Sequence, residues 1–168
     1  MAVVDLTVYK TTDNTPIDAV TVGGADTMVV VAKGTITNGN TSASIYRLAE
    51  IPSNFIPVGG EITCDAITSV DDADLGLYET PENGGAVIDV DALMDGGTLA
   101  SALAPGSGLS PISAVTIANQ NQPLYHLASD VSGERQSYVL ALTINKTAGA
   151  TGSFIVRLNL VRREYAAS

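Results

Sequence analysis

Six aspartates crowd the stretch from Asp71 to Asp95, namely Asp71, Asp72, Asp74, Asp89, Asp91 and Asp95. Carboxylates at that density suit two kinds of chemistry, calcium binding and acid–base hydrolysis. A helix–loop–helix calcium loop wants acidic ligands at its first, third and fifth places, glycine at the sixth and glutamate at the twelfth. Counted from Asp72, the fifth place is Gly76 and the twelfth is Asn83, so that motif fails. A looser calcium loop of Asp89, Asp91 and Asp95 with backbone carbonyls competes with a plainer reading, solvated turns whose aspartates bond their own backbone. Glycoside hydrolysis needs one carboxylic acid held protonated in an apolar cleft. Here the acids fall in turns and the chain has no Trp to build a sugar platform.

The remaining reactive types are sparse. His126 is the single histidine, so a Ser-His-Asp hydrolase would have to use it as base. No serine sits in a Gly-x-Ser-x-Gly elbow; Ser107, in Pro105-Gly106-Ser107-Gly108, has glycines without the pattern. One histidine and one cysteine, Cys64, also exclude an intrachain disulfide and a His/Cys zinc cluster. Cys64 stands in an apolar alternation, where a thiol serves as a small core residue. The pairs Gly23-Gly24, Gly59-Gly60, Gly84-Gly85 and Gly96-Gly97 mark bends, since none precedes a helix with the lysine of a phosphate-binding loop. The sequence therefore predicts no enzyme, no cofactor and no metal.

Charge separates along the chain. Of eighteen acidic residues, thirteen lie between Leu48 and Glu134, where there is no Lys or Arg. Five of the eight basic residues, Arg135, Lys146, Arg157, Arg162 and Arg163, follow in the last thirty-four positions. A net charge of −10 argues against nucleic acid, which needs clustered Lys and Arg. No apolar run nears the ~20 residues that span a bilayer, and the N-terminus lacks a basic region followed by an apolar one. Soluble synthesis in the cytosol is the expectation.

The elements that must hold these residues are strands. With 45% apolar but 5% aromatic residues, the core must be built from Val, Ile, Leu and Ala. Period-two alternation and β-branched enrichment run throughout. They predict strands over Val4–Val8, Met28–Thr37, Ser44–Ile51, Glu61–Val70, Ala73–Thr80, Ser113–Ala118, Leu124–Ala128, Ser137–Asn145 and Ser153–Arg162. Phe55–Gly60 reads as a corner, and Lys146–Gly152 as the turn of a hairpin joining the last two strands. Tyr138, Leu140, Leu142, Ile144, Ile155, Val156, Leu158 and Leu160 are placed on one core. Asp91–Gly97 reads as a helical turn closed by glycine, with a second turn over Thr98–Leu103. The fold class is thus all-β: an antiparallel β-sandwich or jelly roll of about 8–10 strands with one or two short helical turns. Residues 1–12 are set apart as an N-terminal arm or exchanged strand, and residues 13–168 as a single sandwich domain.

The segments Cys64-Asp65-Ala66-Ile67-Thr68, Asp72 to Tyr78, Gly84 to Asp91 and Asp95-Gly96 resemble a group of tailed-bacteriophage structural proteins. So do Tyr138 to Thr143 and Gly152 to Leu158. The resemblance is to capsid decoration, or cement, proteins of jelly-roll type, and it covers roughly residues 43–163. It implies a virion structural protein that stabilises a capsid by bridging neighbouring major-capsid subunits, located on the capsid surface after synthesis in the host cytoplasm. The partners implied are the major capsid protein and further copies of the chain, a trimer rather than a dimer, with no nucleic acid and no membrane. Val4, Leu6, Val8 and Tyr9 of the arm, with Arg157, Arg162 and Arg163, are the expected capsid or subunit contacts. The alternative is a carbohydrate- or receptor-binding module of a tail or head fibre, with Tyr78 as the ring on which a sugar would stack.

Overall fold

The structure, a computed structural model, describes residues 3–5, 19–23, 27–129 and 137–162. Among them are nine strands: β1 (Val3–Asp5), β2 (Ala19–Gly23), β3 (Thr27–Ile36), β4 (Ser44–Pro52), β5 (Phe55–Cys64), β6 (Ala73–Tyr78), β7 (Val87–Gly97), β8 (Ser137–Ile144) and β9 (Gly152–Arg162). They form two sheets, a five-stranded one ordered β1-β4-β8-β6-β7 and a four-stranded one ordered β2-β3-β9-β5. Every pairing is antiparallel except β1 on β4, where Val3, Val4 and Asp5 run parallel to Ile45, Tyr46 and Arg47. The all-β two-sheet sandwich expected from the alternation is the fold observed.

The inward positions make the core. Val30, Ala32 and Ile36 of β3 and Phe154, Val156, Leu158 and Leu160 of β9 are buried from one sheet. Tyr46, Leu48 and Ile51 of β4 and Tyr138, Leu140, Leu142 and Ile144 of β8 meet them from the other. The rings of Tyr46 and Phe154 join the layers edge to face, centroids 5.7 Å apart at 78°, the geometry that aromatic quadrupoles favour. β4 keeps two consecutive residues inside, Leu48 and Ala49. Its pairing with β8 jumps between Arg47 and Ala49, making Leu48 the extra residue of a bulge.

The five-stranded sheet is closed on its second face as well. All six residues of β6 are buried. The cover is β7: its register on β6 passes from Met94 opposite Leu75 to Asp89 opposite Leu77, so residues 90–93 arch across Gly76. A Cβ at Gly76 would lie 2.2 Å from the carbonyl oxygen of Val90, so this position takes only hydrogen.

Several local expectations are corrected. Asp91–Gly97 is not a helical turn but the end of β7; the arch buries Leu93 and Met94 together, and Gly96 at φ 67° imitates a helix cap. Thr98–Leu103 is not helical either, because Leu99 exchanges backbone bonds with Ile67 and Val70, and Leu103 with Cys64. The strand expected at Ser113–Ala118 is a set of turns running into a 3-10 turn at Ile117–Asn119. Leu124–Ala128 instead holds the one-turn helix α1 (Leu124–Leu127), entered from Pro123. Phe55–Gly60 is no corner but the first part of β5, where a bulge between Pro57 and Gly59 takes up the irregularity. Beyond Cys64 the strand expected to reach Val70 gives way to a turn. The turn over Lys146–Gly152 makes no hairpin, since β8 and β9 belong to different sheets. Ala148 is buried there and exchanges backbone bonds with Gly39 and Asn40, which ties the crossover to the neighbouring connection. Phe154 takes the inward place expected of Ile155.

Candidate interaction surfaces

The acidic stretch divides into structural and exposed carboxylates. Asp74 is 5% exposed; its Oδ1 accepts from the Gly96 amide at 3.0 Å and its Oδ2 from Asn145 Nδ2 at 2.6 Å. Asp72 accepts from the same Asn145 amide group at 3.1 Å. Earlier in the chain, Asp65 accepts from the Ser153 amide at 2.9 Å, and Glu61 from the Gly106 and Gly108 amides at 2.6 and 3.1 Å. These carboxylates tie together segments remote in sequence, and do not merely bond their own turns. Asp71, Glu82, Asp91 and Asp95 remain exposed. Asp89 is half-buried beside Asp91; desolvation and the shared hydrogen bond push its carboxyl above the ordinary range. Among the described residues no three of His, Cys, Asp and Glu converge as a metal site would require, so the loop of Asp89, Asp91 and Asp95 does not assemble.

Tyr78 is 2% exposed, with its hydroxyl 2.7 Å from Thr143 Oγ1. A sugar cannot stack on it, and the expectation placed there is corrected: Tyr78 lies on the face of β6 turned away from the sandwich core, and the β7 arch covers its ring, with Val90 packed against it. Burial raises its pKa, Asp74 adds to the rise, and the Thr143 bond and Arg47 oppose it. Arg47 spans the same covered face and donates to the Gly85 carbonyl at 2.7 Å. His126 stands exposed on α1 and Ser107 exposed in a loop, where its hydroxyl donates to the Ala104 carbonyl at 3.1 Å. Cys64 is half-buried, and burial pushes its thiol up.

Of the expected contact residues, Leu6, Val8, Tyr9 and Arg163 lie outside the described residues, and Val4 is placed only as backbone of β1. Arg157 and Arg162 are exposed on β9. Arg157 sits mid-strand on the outward face of the four-stranded sheet, opposite Val31 on one side and Glu61 on the other. Around it on this face are half-buried Val29, Val31, Ile155 and Val161, and exposed Lys33. None of these five was expected on an outward face from sequence; Ile155 was placed in the core. The signal was there: Met28 to Ala32 is apolar at every position, and a strand apolar on both sides has two faces to cover. Val58, the extra residue of the β5 bulge, is 52% exposed. At one end of the face a cleft of about 490 Å³ opens between Lys33, Thr63, Cys64, Ile155 and the segment holding Leu103 and Pro105. That segment, through bridges from Leu103 to Cys64 and from Leu109 to Ile62, also covers the free edge of β5.

No family model and no curated protein matches the chain. Two solved structures share its fold. One is a chain of the capsid of Ralstonia phage GP4, 16% identical, covering 98% of this chain and 100% of that one, with a TM-score of 0.53. The other is a chain of the cyanophage Pam1 capsid asymmetric unit, 14% identical, covering 84% of this chain and 89% of that one, with a TM-score of 0.52. At this identity the likeness is one of fold. Among the described residues no helix is long and apolar enough to cross a membrane.

Proposed function

We propose that this chain is a virion structural protein that decorates a bacteriophage capsid and stabilises it by bridging neighbouring major-capsid subunits. The observation that carries the reading is the end-to-end correspondence with a capsid chain, 98% of one against 100% of the other, so that the matched chain has nearly this length and no extra domain. A closed two-sheet sandwich fits that work: it is rigid, its acidic side keeps it soluble, and its four-stranded sheet offers an outward face for contact. On this reading the protein sits on the capsid surface after synthesis in the host cytoplasm, and it acts without catalysis or cofactor. It self-associates, as a trimer rather than a dimer, so that several weak contacts to one shell add through multivalency. The arm, residues 1–12 with Val4, Leu6, Val8 and Tyr9, and the arginines Arg157, Arg162 and Arg163 supply the contacts.

The test is the mass of matching empty capsids mixed with the purified protein. Saturation at a copy number compatible with the shell's symmetry is the expected result; shells that take up none reject the reading. A chain lacking residues 1–12 is expected to keep its fold and bind shells more weakly, and unchanged occupancy would remove the arm from the account.

A further inference from the structure

The outward face of the four-stranded sheet and the β7 side of the five-stranded sheet differ in charge and share apolar content. On the first, Lys33 and Arg157 are exposed around half-buried Val29, Val31, Ile155 and Val161. Neither cation forms an ion pair with a described residue. The nearest carboxylate in register, Glu61 opposite Arg157, is engaged by the Gly106 and Gly108 amides. On the second, Asp71, Glu82, Asp91 and Asp95 are exposed, Asp89 is half-exposed, and Val87 is 57% exposed among them. From Leu48 to Glu134 the sequence has no Lys or Arg, and Arg47, the cation that reaches this side, is half-buried with its guanidinium on the Gly85 carbonyl.

We infer that these two faces are the two halves of one self-contact: the outward face of the four-stranded sheet in one copy packs against the β7 side of the next. Size supports it. Three strands of ten or eleven residues and β2 of five, spaced ~4.8 Å with ~3.4 Å per residue, give a face of roughly 600 Å², close to the ~800 Å² per partner of a stable interface. Charge fixes the pairing. Two copies meeting through the four-stranded sheet alone would set Lys33 and Arg157 against their own images, and two β7 sides would set aspartate against aspartate. Only the unlike pairing brings opposite charges together, and complementarity of this sort selects the partner and speeds encounter. A contact between two different patches is heterologous. It closes into a ring when the rotation between copies allows and otherwise grows as an open chain. The proposal rests on the self-association in the reading above, and it names the surfaces that make it.

The experiment is sedimentation of the full chain without capsids, in wild-type form and as two exposed-residue double variants, Lys33→Glu with Arg157→Glu and Asp91→Lys with Asp95→Lys. Far-UV circular dichroism and thermal unfolding check that each variant folds; the single variants Arg157→Glu and Asp71→Lys replace any that does not. Wild type is expected to form a discrete oligomer that weakens from about 0.01 M to about 1 M salt, as the screening length falls from ~30 to ~3 Å. Each double variant alone should associate roughly tenfold or more weakly. An equimolar mixture of the two should associate again, since each supplies the complement of the other. A monomeric wild type, or aspartate variants that assemble like wild type, would overturn the inference. Capsids are absent from this experiment, so shell binding stands or falls separately.

Discussion

At the residue scale, the acidic and aromatic side chains first suggestive of chemistry mostly hold the fold together. Tyr78 shows it: its buried hydroxyl pairs with Thr143. Tyr78→Phe removes that hydroxyl, leaves the buried Thr143 hydroxyl without its partner, and should cost about 1–2 kcal/mol in denaturant unfolding. Because the folded protein keeps the Tyr78 proton beyond the pH at which an unfolded tyrosine loses it, the associated stability is intact below the ordinary tyrosine pKa. It is lost as pH rises through the raised one. The phenylalanine variant should lack this alkaline decline in melting temperature. Asp89 runs the same way at lower pH: its raised pKa means that stability falls as pH rises from the ordinary carboxylate value through the raised one. Asp89→Asn should therefore melt higher than wild type at neutral pH, with the difference closing as pH falls below the ordinary carboxylate range; an unchanged melting curve would count against desolvation of this carboxyl. Gly76→Ala forces a methyl onto the Val90 carbonyl and should cost about 1–3 kcal/mol. Sequence told that Asp72 and Gly76 lie at or beside a strand. It could not tell that Asn145, remote in sequence, meets both Asp72 and Asp74, because that encounter is made by the β6–β8 pairing.

At the scale of elements, strands with mostly period-two or continuous apolar spacing were legible and the segments between them were not. β3, β4, β6, β8 and β9 fall where alternation puts them, because one face of each is buried against the other sheet. The segment from Leu99 to Leu109 has no such pattern, since it is held by isolated backbone bridges and by one carboxylate. Glu61 is that carboxylate, and bonds to a charged acceptor contribute about 1.5–3 kcal/mol. Glu61→Ala should release the loop: hydrogen exchange at the Gly106 and Gly108 amides is expected to quicken more than tenfold, with proteolysis appearing near Pro105. Amides that exchange as in wild type would show the loop to be held by Leu103 and Leu109 alone. Such a release would also uncover the β5 edge, an invitation to unwanted strand pairing. The crossover after β8 was missed for a related reason. Turn residues announce a reversal but not whether the next strand rejoins the same layer.

For the whole molecule, the two layers depend on each other through the side chains between them. Phe154→Ala, which removes the ring packed on Tyr46, should cost about 3–5 kcal/mol, a large share of the ~5–15 kcal/mol that domains possess. Both sheets should melt in one transition, monitored by circular dichroism and by tyrosine fluorescence; separate transitions would mean independent layers. The sandwich class was legible because composition and alternation are properties of the whole chain. The charge opposition of its two sides was legible only in part, because the acidic run is contiguous in sequence while Lys33 and Arg157 meet across β3 and β9. The strand order also sets a timetable. β8 is the strand between β4 and β6, and β9 the strand between β3 and β5, yet both are the last to be synthesised. Until they emerge from the ribosome, each layer consists of halves with open edges, and the pairings that close it join residues remote in sequence, as Ala73 and Ile144 or Val31 and Arg157 do. Contacts so distant form slowly. A nascent or truncated copy therefore has no finished surface to offer, and only a completed chain can join an assembly.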